Sequence, residues 1–204
     1  MKETQIHIAL FASGRSSNAE QIIHYFHQEA HPVSGRRVLV SLIVCNKPGA
    51  GVLEIAERER IPSLLIQREE FFRGAHYLEE LKKREISFLV LAGFLWKIPP
   101  ELIRAYPDRI INIHPALLPA YGGKGMYGTA VHQAVISAGE KESGISIHQV
   151  DELYDHGQVL FQVRCKVSAD DSPDSLAKKI HALEHAHYPA AIARWMESKL
   201  SLNP

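Results

Sequence analysis

The sequence has no net formal charge: 23 Lys and Arg balance 23 Asp and Glu across 204 residues. A balanced chain lacks the global field that grips nucleic acid or an anionic membrane. Cysteine is nearly absent. Cys45 and Cys165 each sit in an apolar, strand-like run, at no spacing that builds a zinc or redox motif. They read as two free thiols of a reducing compartment. Long apolar runs are missing too, so a bilayer-spanning helix is not expected. The opening "MKETQIHIALFASG" lacks the ordered charged, apolar and small-residue regions of an export signal. These absences together predict a cytoplasmic protein. Repeats and low-complexity linkers are also missing, which leaves one domain over residues 1–204 as the expectation.

What is present is an alternation. Ile6 to Ala12 reads as a buried strand, and Ser17 to Ala30 carries a helical stripe of Ala19, Ile22, Ile23 and Phe26. Arg37 to Cys45 is a second strand, Asn46 to Gly49 a turn, and Gly51 to Arg60 a short helix. Ser63 to Ile66 is a small strand, Phe71 to Arg84 an amphipathic helix, and Ile86 to Ala92 another apolar strand. Strands apolar on both faces and separated by helices predict a parallel sheet covered on both sides. The second half differs. A short strand over Arg109 to His114 and a helix over Thr129 to Ala138 precede two longer strands, Ile145 to Val150 and Gln158 to Val167. Few helical signals separate those two, so they predict an antiparallel or mixed extension of the sheet. Ser172 and Pro173 open a final helix to about Tyr188–Pro189, and helical sequence resumes to Lys199. The expected fold class is α/β: a Rossmann-like, doubly wound, mostly parallel sheet in a three-layer αβα arrangement, with a mixed C-terminal extension.

Three stretches carry chemistry. In "FASGRSSN" the first strand-to-helix turn holds Gly14, Arg15, Ser16, Ser17 and Asn18. Unsatisfied N–H groups at a helix start and small polar side chains suit a phosphate monoester. The pattern is neither the three-glycine dinucleotide loop nor the Lys-Thr ending of an NTPase loop. In "INIHPALLPAYGGKGMYG", Ile111 to Gly128, Asn112 and His114 stand two residues apart at a strand's carboxyl end and share one face. An imidazole exchanges protons near neutral pH, and an amide N–H supports a developing oxyanion. The glycines Gly122, Gly123 and Gly125 suggest a mobile lid over the crevice. A carboxylate to orient the imidazole is expected from "VDELYDHG", where Asp151, Glu152 and Asp155 are all candidates by spacing. His181, His185 and His187 share too little of one helical face to bind zinc, since no third ligand stands with His181 and His185. Tyr121 and Tyr127 are placed either to close over substrate or to pin the glycine loop.

With "LVLAGFLWKIPP", "GISIHQVDELYDHGQVLFQ" and "LEHAHYPAAI" added in order, nearly the whole chain resembles the folate-dependent formyltransferases, in their phosphoribosylglycinamide branch. The resemblance implies transfer of a formyl group from 10-formyltetrahydrofolate to the amine of 5′-phosphoribosylglycinamide, in de novo purine (IMP) biosynthesis. It implies His114 as the proton-transfer group, Asn112 as donor to the formyl oxygen, and Asp155 as the carboxylate that raises the pKa of His114. It assigns Ser16, Ser17 and Asn18 to the substrate phosphate and Glu184 to the ribose or glycinamide part. Leu95, Trp96, Lys97 and Ile98 match the folate-lining stretch, and Arg73 is the nearest match to an arginine that meets the folate tail. Ser16 stands where relatives carry Gly, and Trp96 where some carry Arg. The implied partners are the two substrates, with no metal, nucleic acid or membrane, in a monomer or homodimer. A formyltetrahydrofolate hydrolase would carry an extra N-terminal domain and a transfer-RNA formyltransferase an extra C-terminal one. A non-catalytic phosphosugar binder is the third alternative.

Overall fold

The computed structural model describes residues 5–73 and 75–201. Strands β1 (Ile6–Ala12), β2 (Val38–Cys45), β3 (Ser63–Leu65), β4 (Ile86–Leu91), β5 (Ile110–His114), β6 (Glu142–Gln149) and β7 (Val159–Lys166) form one sheet in the order β3-β2-β1-β4-β5-β6-β7. The first five strands are parallel, while β6 and β7 run antiparallel to their neighbours. Strand order reverses between β1 and β4, so their carboxyl ends open the crevice where open α/β sheets bind ligands.

Period-two alternation assigns the two faces. Ile6, Ile8, Leu10 and Ala12 of β1 pack on one side with α1 (Ser17–Ile23), α2 (Gly51–Arg58), α6 (Thr129–Ser137) and α7 (Pro173–Ser201). Ala9 and Phe11 point to the other side, toward α3 (Arg68–Arg73), α4 (Ala75–Lys83) and α5 (Pro100–Ala105). The result is the three-layer mixed sheet that the sequence predicts.

Several elements differ in detail. The first helix turns π-helical over His24–Gln28, where the Glu29 N–H reaches the His24 carbonyl at 3.1 Å. The segment expected as one helix over Phe71 to Arg84 comprises α3 and α4, and residue 74 between them lies outside the described residues. Helix α5 is additional to the elements expected from the sequence, although Pro100 at its start and Arg104 in its last turn are helix-end signals. Strand β6 begins at Glu142, earlier than the apolar run suggests. The final helix runs unbroken through Pro189. An interior proline costs a helix about 3 kcal/mol. Burying Tyr188, Ile192, Trp195 and Met196 around it returns roughly 1.5–3 kcal/mol each, so packing prevails.

Candidate active site

Two loops meet across the β1/β4 switch point. After β1, Ser16 adopts a left-handed conformation at φ 46° and caps α1 by accepting the Ala19 N–H at 3.3 Å. Its hydroxyl donates to the Ala92 carbonyl after β4 at 2.7 Å. Left-handed backbone costs a non-glycine residue about 1–2 kcal/mol. Two hydrogen bonds of roughly 0.5–1.5 kcal/mol each offset that, which is how a serine is tolerated here. The neighbouring Leu95 N–H donates to the Ser13 hydroxyl at 2.9 Å and ties the same two loops again.

The crevice is a cavity of about 660 Å³, within the range of roughly 300–1,000 Å³ usual for small-molecule sites. Arg15, Ser16, Ser17 and Asn18 line it, with Glu184 and His181 of α7. So do Arg68, Phe72, Phe94, Leu95, Trp96 and Lys97, a largely aromatic and apolar set. Asn112, His114 and Asp155 line the same cavity. Three residues that the sequence assigns to substrate binding are not among those lining the cavity. Gly14 lies one residue upstream and its carbonyl accepts the Val52 N–H at 3.1 Å. Ile98 is buried in the core with Phe71 and Leu102. Arg73 ends α3 and is not among the lining residues, whereas Arg68 at the start of α3 is, with its guanidinium 5.9 Å from the Phe72 ring centroid. Sequence alone does not single out Arg68, because its partner Phe72 meets Trp96, with ring centroids 6.0 Å apart, only in the fold.

Asp155 emerges from the three candidate acids. Its carboxylate approaches both His114 Nδ1 and His148 Nε2 at 3.5 Å and accepts the Gly123 N–H at 3.0 Å. Asp151 instead pairs with His156 at 2.8 Å and accepts the Leu153 N–H. Gly122 packs closely against this contact: a Cβ there would lie 3.2 Å from Asp155 Cβ and 2.6 Å from Leu118 Cδ2, so the Leu118 side chain would have to shift.

The proton positions follow from carbonyl acceptors, which take hydrogen bonds and give none. His114 Nε2 lies 2.8 Å from the Tyr121 carbonyl, so Nε2 carries the proton and Nδ1 presents a lone pair beside Asp155. Burial is the largest influence on His114 and lowers its pKa; Asp155 and the Tyr121 carbonyl oppose it without overcoming it. Asp155 therefore raises the pKa of His114, as the resemblance implies, but the net shift is downward and the resting imidazole is neutral. For Asp155 itself burial raises the pKa, and His148 and His114 in their protonated forms, with the Gly123 N–H, pull it below its ordinary value.

His148 is a site residue that the sequence motifs do not indicate. Its Nδ1 donates to the Gln149 carbonyl at 2.8 Å, which leaves Nε2 to accept an Asn112 amide N–H at 3.0 Å. One Asn112 proton is thus held by His148, and the amide orientation is fixed with its second N–H remaining. The signal is faint: Ser146 and His148 are polar positions in an otherwise buried strand, and the antiparallel register sets Asn112 opposite His148 and His114 opposite Ser146.

The glycine loop is strapped at its start. Ser146 Oγ accepts the Leu118 N–H and donates to the Ala116 carbonyl, and Gln162 donates to the Leu118 carbonyl. Tyr121 pins it farther along by donating to Glu140 at 2.7 Å, whereas Tyr127 is exposed and lines the cavity.

An oriented amide, a neutral imidazole backed by a carboxylate, and polar and aromatic residues lining the same cavity suit acyl-type group transfer at a switch-point crevice. The sequence profile of the formyl transferase family matches residues 6–192. Phosphoribosylglycinamide formyltransferase of Bacillus subtilis (strain 168) is 37% identical over 188 residues, covering 90% of this chain and 91% of that protein. The chloroplastic enzyme of the same name from Arabidopsis thaliana is 39% identical over 95% of this chain, which spans 66% of the plant protein's length. The crystal structure of phosphoribosylglycinamide formyltransferase from Bacillus halodurans superposes with a TM-score of 0.81 at 35% identity, covering 92% of this chain and 94% of that one. The chain belongs to the formyl transferase family and, within it, to the phosphoribosylglycinamide formyltransferases. Among the described residues no helix is long and apolar enough to cross a membrane.

Proposed function

We infer that the chain transfers a formyl group from 10-formyltetrahydrofolate to the amine of 5′-phosphoribosylglycinamide, in purine biosynthesis. The observation that carries this reading is the convergence of Asn112, His114 and Asp155 in one cavity that a polar loop and aromatic side chains also line. The polar loop fits the phosphoribosyl substrate, with Arg15 and the loop N–H groups toward phosphate and Glu184 toward the ribose or glycinamide part. The aromatic side chains fit the folate, with Phe72 and Trp96 against its rings and Arg68 or Lys97 toward its carboxylates.

The folate supplies a formyl carbon bonded to a nitrogen leaving group. The substrate amine bonds to that carbon, and the formyl oxygen takes up negative charge. The free N–H of Asn112 donates to that oxygen, and its second N–H stays on His148. His114 accepts the amine proton at Nδ1, the nitrogen not engaged by Tyr121. The imidazolium so formed faces Asp155 and adds positive charge beside the oxyanion. When the bond to the folate nitrogen breaks, the Nδ1 proton is returned to that nitrogen, and His114 is neutral again. Holding both substrates in one cavity removes much of the entropic barrier.

An assay with both substrates, following deformylated folate, tests the reading. Product is expected only when phosphoribosylglycinamide is present, with one formyl group gained per folate deformylated. Folate consumption that ignores phosphoribosylglycinamide would identify a hydrolase instead.

A further inference from the structure

The histidine run of α7 has a division of labour. His187 lies against the Phe161 ring, with centroids 5.8 Å apart. His181 lines the cavity. His185 Nε2 lies 2.8 Å from Ser17 Oγ, beside the residue pair Asn18 and Glu184, whose own hydrogen bond is 2.9 Å. Residues 184 and 185 therefore grip residues 17 and 18 through two adjacent bonds.

We propose that His185 is a positioning residue for the phosphate of the substrate: its Nε2 proton is donated to Ser17 Oγ, which releases the Ser17 proton to a phosphate oxygen. The proposal rests on the reading of the 15–18 loop as the phosphate end. The chemistry of a hydroxyl decides the direction. Ser17 has one proton. If that proton went to His185, the serine would face an incoming phosphate with lone pairs alone. If Oγ accepts from His185, the proton is free for the anion, and a hydrogen bond to a charged oxygen is among the stronger kinds. The neighbouring hydroxyl cannot substitute. The Ser16 hydroxyl is committed to the Ala92 carbonyl, and one Asn18 amide N–H donates to Glu184. Ser17 is the loop hydroxyl whose proton no carbonyl or carboxylate claims.

The test measures binding of ribose 5-phosphate, an unreactive phosphate ester, to wild type, Ser17→Ala, His185→Phe, His185→Gln and the Ser17→Ala/His185→Phe pair. Ser17→Ala and His185→Phe are each expected to weaken binding about tenfold, the worth of one hydrogen bond to a charged group. The double variant is expected to be no weaker than Ser17→Ala, because the two residues act through one bond. Gln keeps a donor at the same reach, so His185→Gln is expected to restore binding. In the full reaction, His185→Phe is expected to raise KM for phosphoribosylglycinamide and leave kcat and the folate KM unchanged. If Ser17→Ala weakens binding and His185→Phe does not, the proposal falls and the phosphate loop stands. If Ser17→Ala has no effect, the loop reading falls and the proposal with it. Losses that add in the double variant, or that Gln does not restore, would mark His185 as merely structural and overturn the proposal.

Discussion

At the scale of single residues, the site works by assigning one job to each nitrogen. His114 gives Nε2 to a carbonyl and Asn112 gives one amide proton to His148; in the proposed reaction Nδ1 is left for proton transfer and the second amide proton for the formyl oxygen. Asp155 is the influence that a substitution removes most cleanly. With Asn at 155 the Gly123 N–H keeps an acceptor, but the charge facing His114 is lost. Activity requires neutral His114, so kcat/KM rises with pH through the His114 pKa. Asp155 raises that pKa. Asp155→Asn is thus expected to move the acidic limb to lower pH and to lower the plateau about ten- to a hundredfold. A limb that stays in place or moves upward in the measured pH–rate profile would contradict the assignment. Asn112 and His114 are legible in the sequence because a strand's carboxyl end sets them on one face. His148 is not, because its partner lies 36 positions away and only the β5–β6 register joins them.

At the scale of elements, the turn that presents Asp155 is as demanding as the residue. Asp155 itself is left-handed at φ 52°. Gly157, two residues on, packs directly on β6: a Cβ there would come 2.0 Å from the Gln149 carbonyl oxygen. Backbone cannot swing aside as a side-chain tip does. Gly157→Ala is expected to shift the turn, to lower kcat with Asp155 displaced, and to lower stability by roughly 1–3 kcal/mol, the usual cost of overpacking. Denaturant unfolding and the assay measure both; wild-type values for both would refute the close packing. The apolar strands and their helices are readable from periodicity. The start of β6 is not, because "ESG" is polar and its pairing with β7 is supplied by the partner strand. The unbroken α7 is hidden by Pro189, whose cost is overcome by tertiary burial that no local pattern reports.

At the scale of the whole molecule, four histidines are held neutral by the fold. Burial is the first cause of the lowered pKa of His27, His114, His132 and His185. Each takes up its proton in the unfolded chain near pH ~6.5 and in the folded protein only at lower pH. Through these rings the unfolded state binds more protons, so their contribution to stability falls as pH drops below about 6.5 and levels off above it, opposed on the acid side by the single buried Glu184, whose pKa burial raises. The thermal midpoint is expected to be lower at about pH 5.5 than at about pH 7.5, and an unchanged midpoint would contradict the burial of these rings. The sheet order that sets β1 beside β4 gathers segments far apart in sequence into one cavity, and this gathering is what turns scattered motifs into a site.

The most direct measurement is the steady-state kinetics of His114→Ala with both substrates. A group that moves the proton in the reaction is worth about 10²–10⁴ in rate. The expected result is a kcat lowered on that scale, with the KM for each substrate close to wild type. A variant with undiminished kcat would remove His114 from the chemistry and end the account.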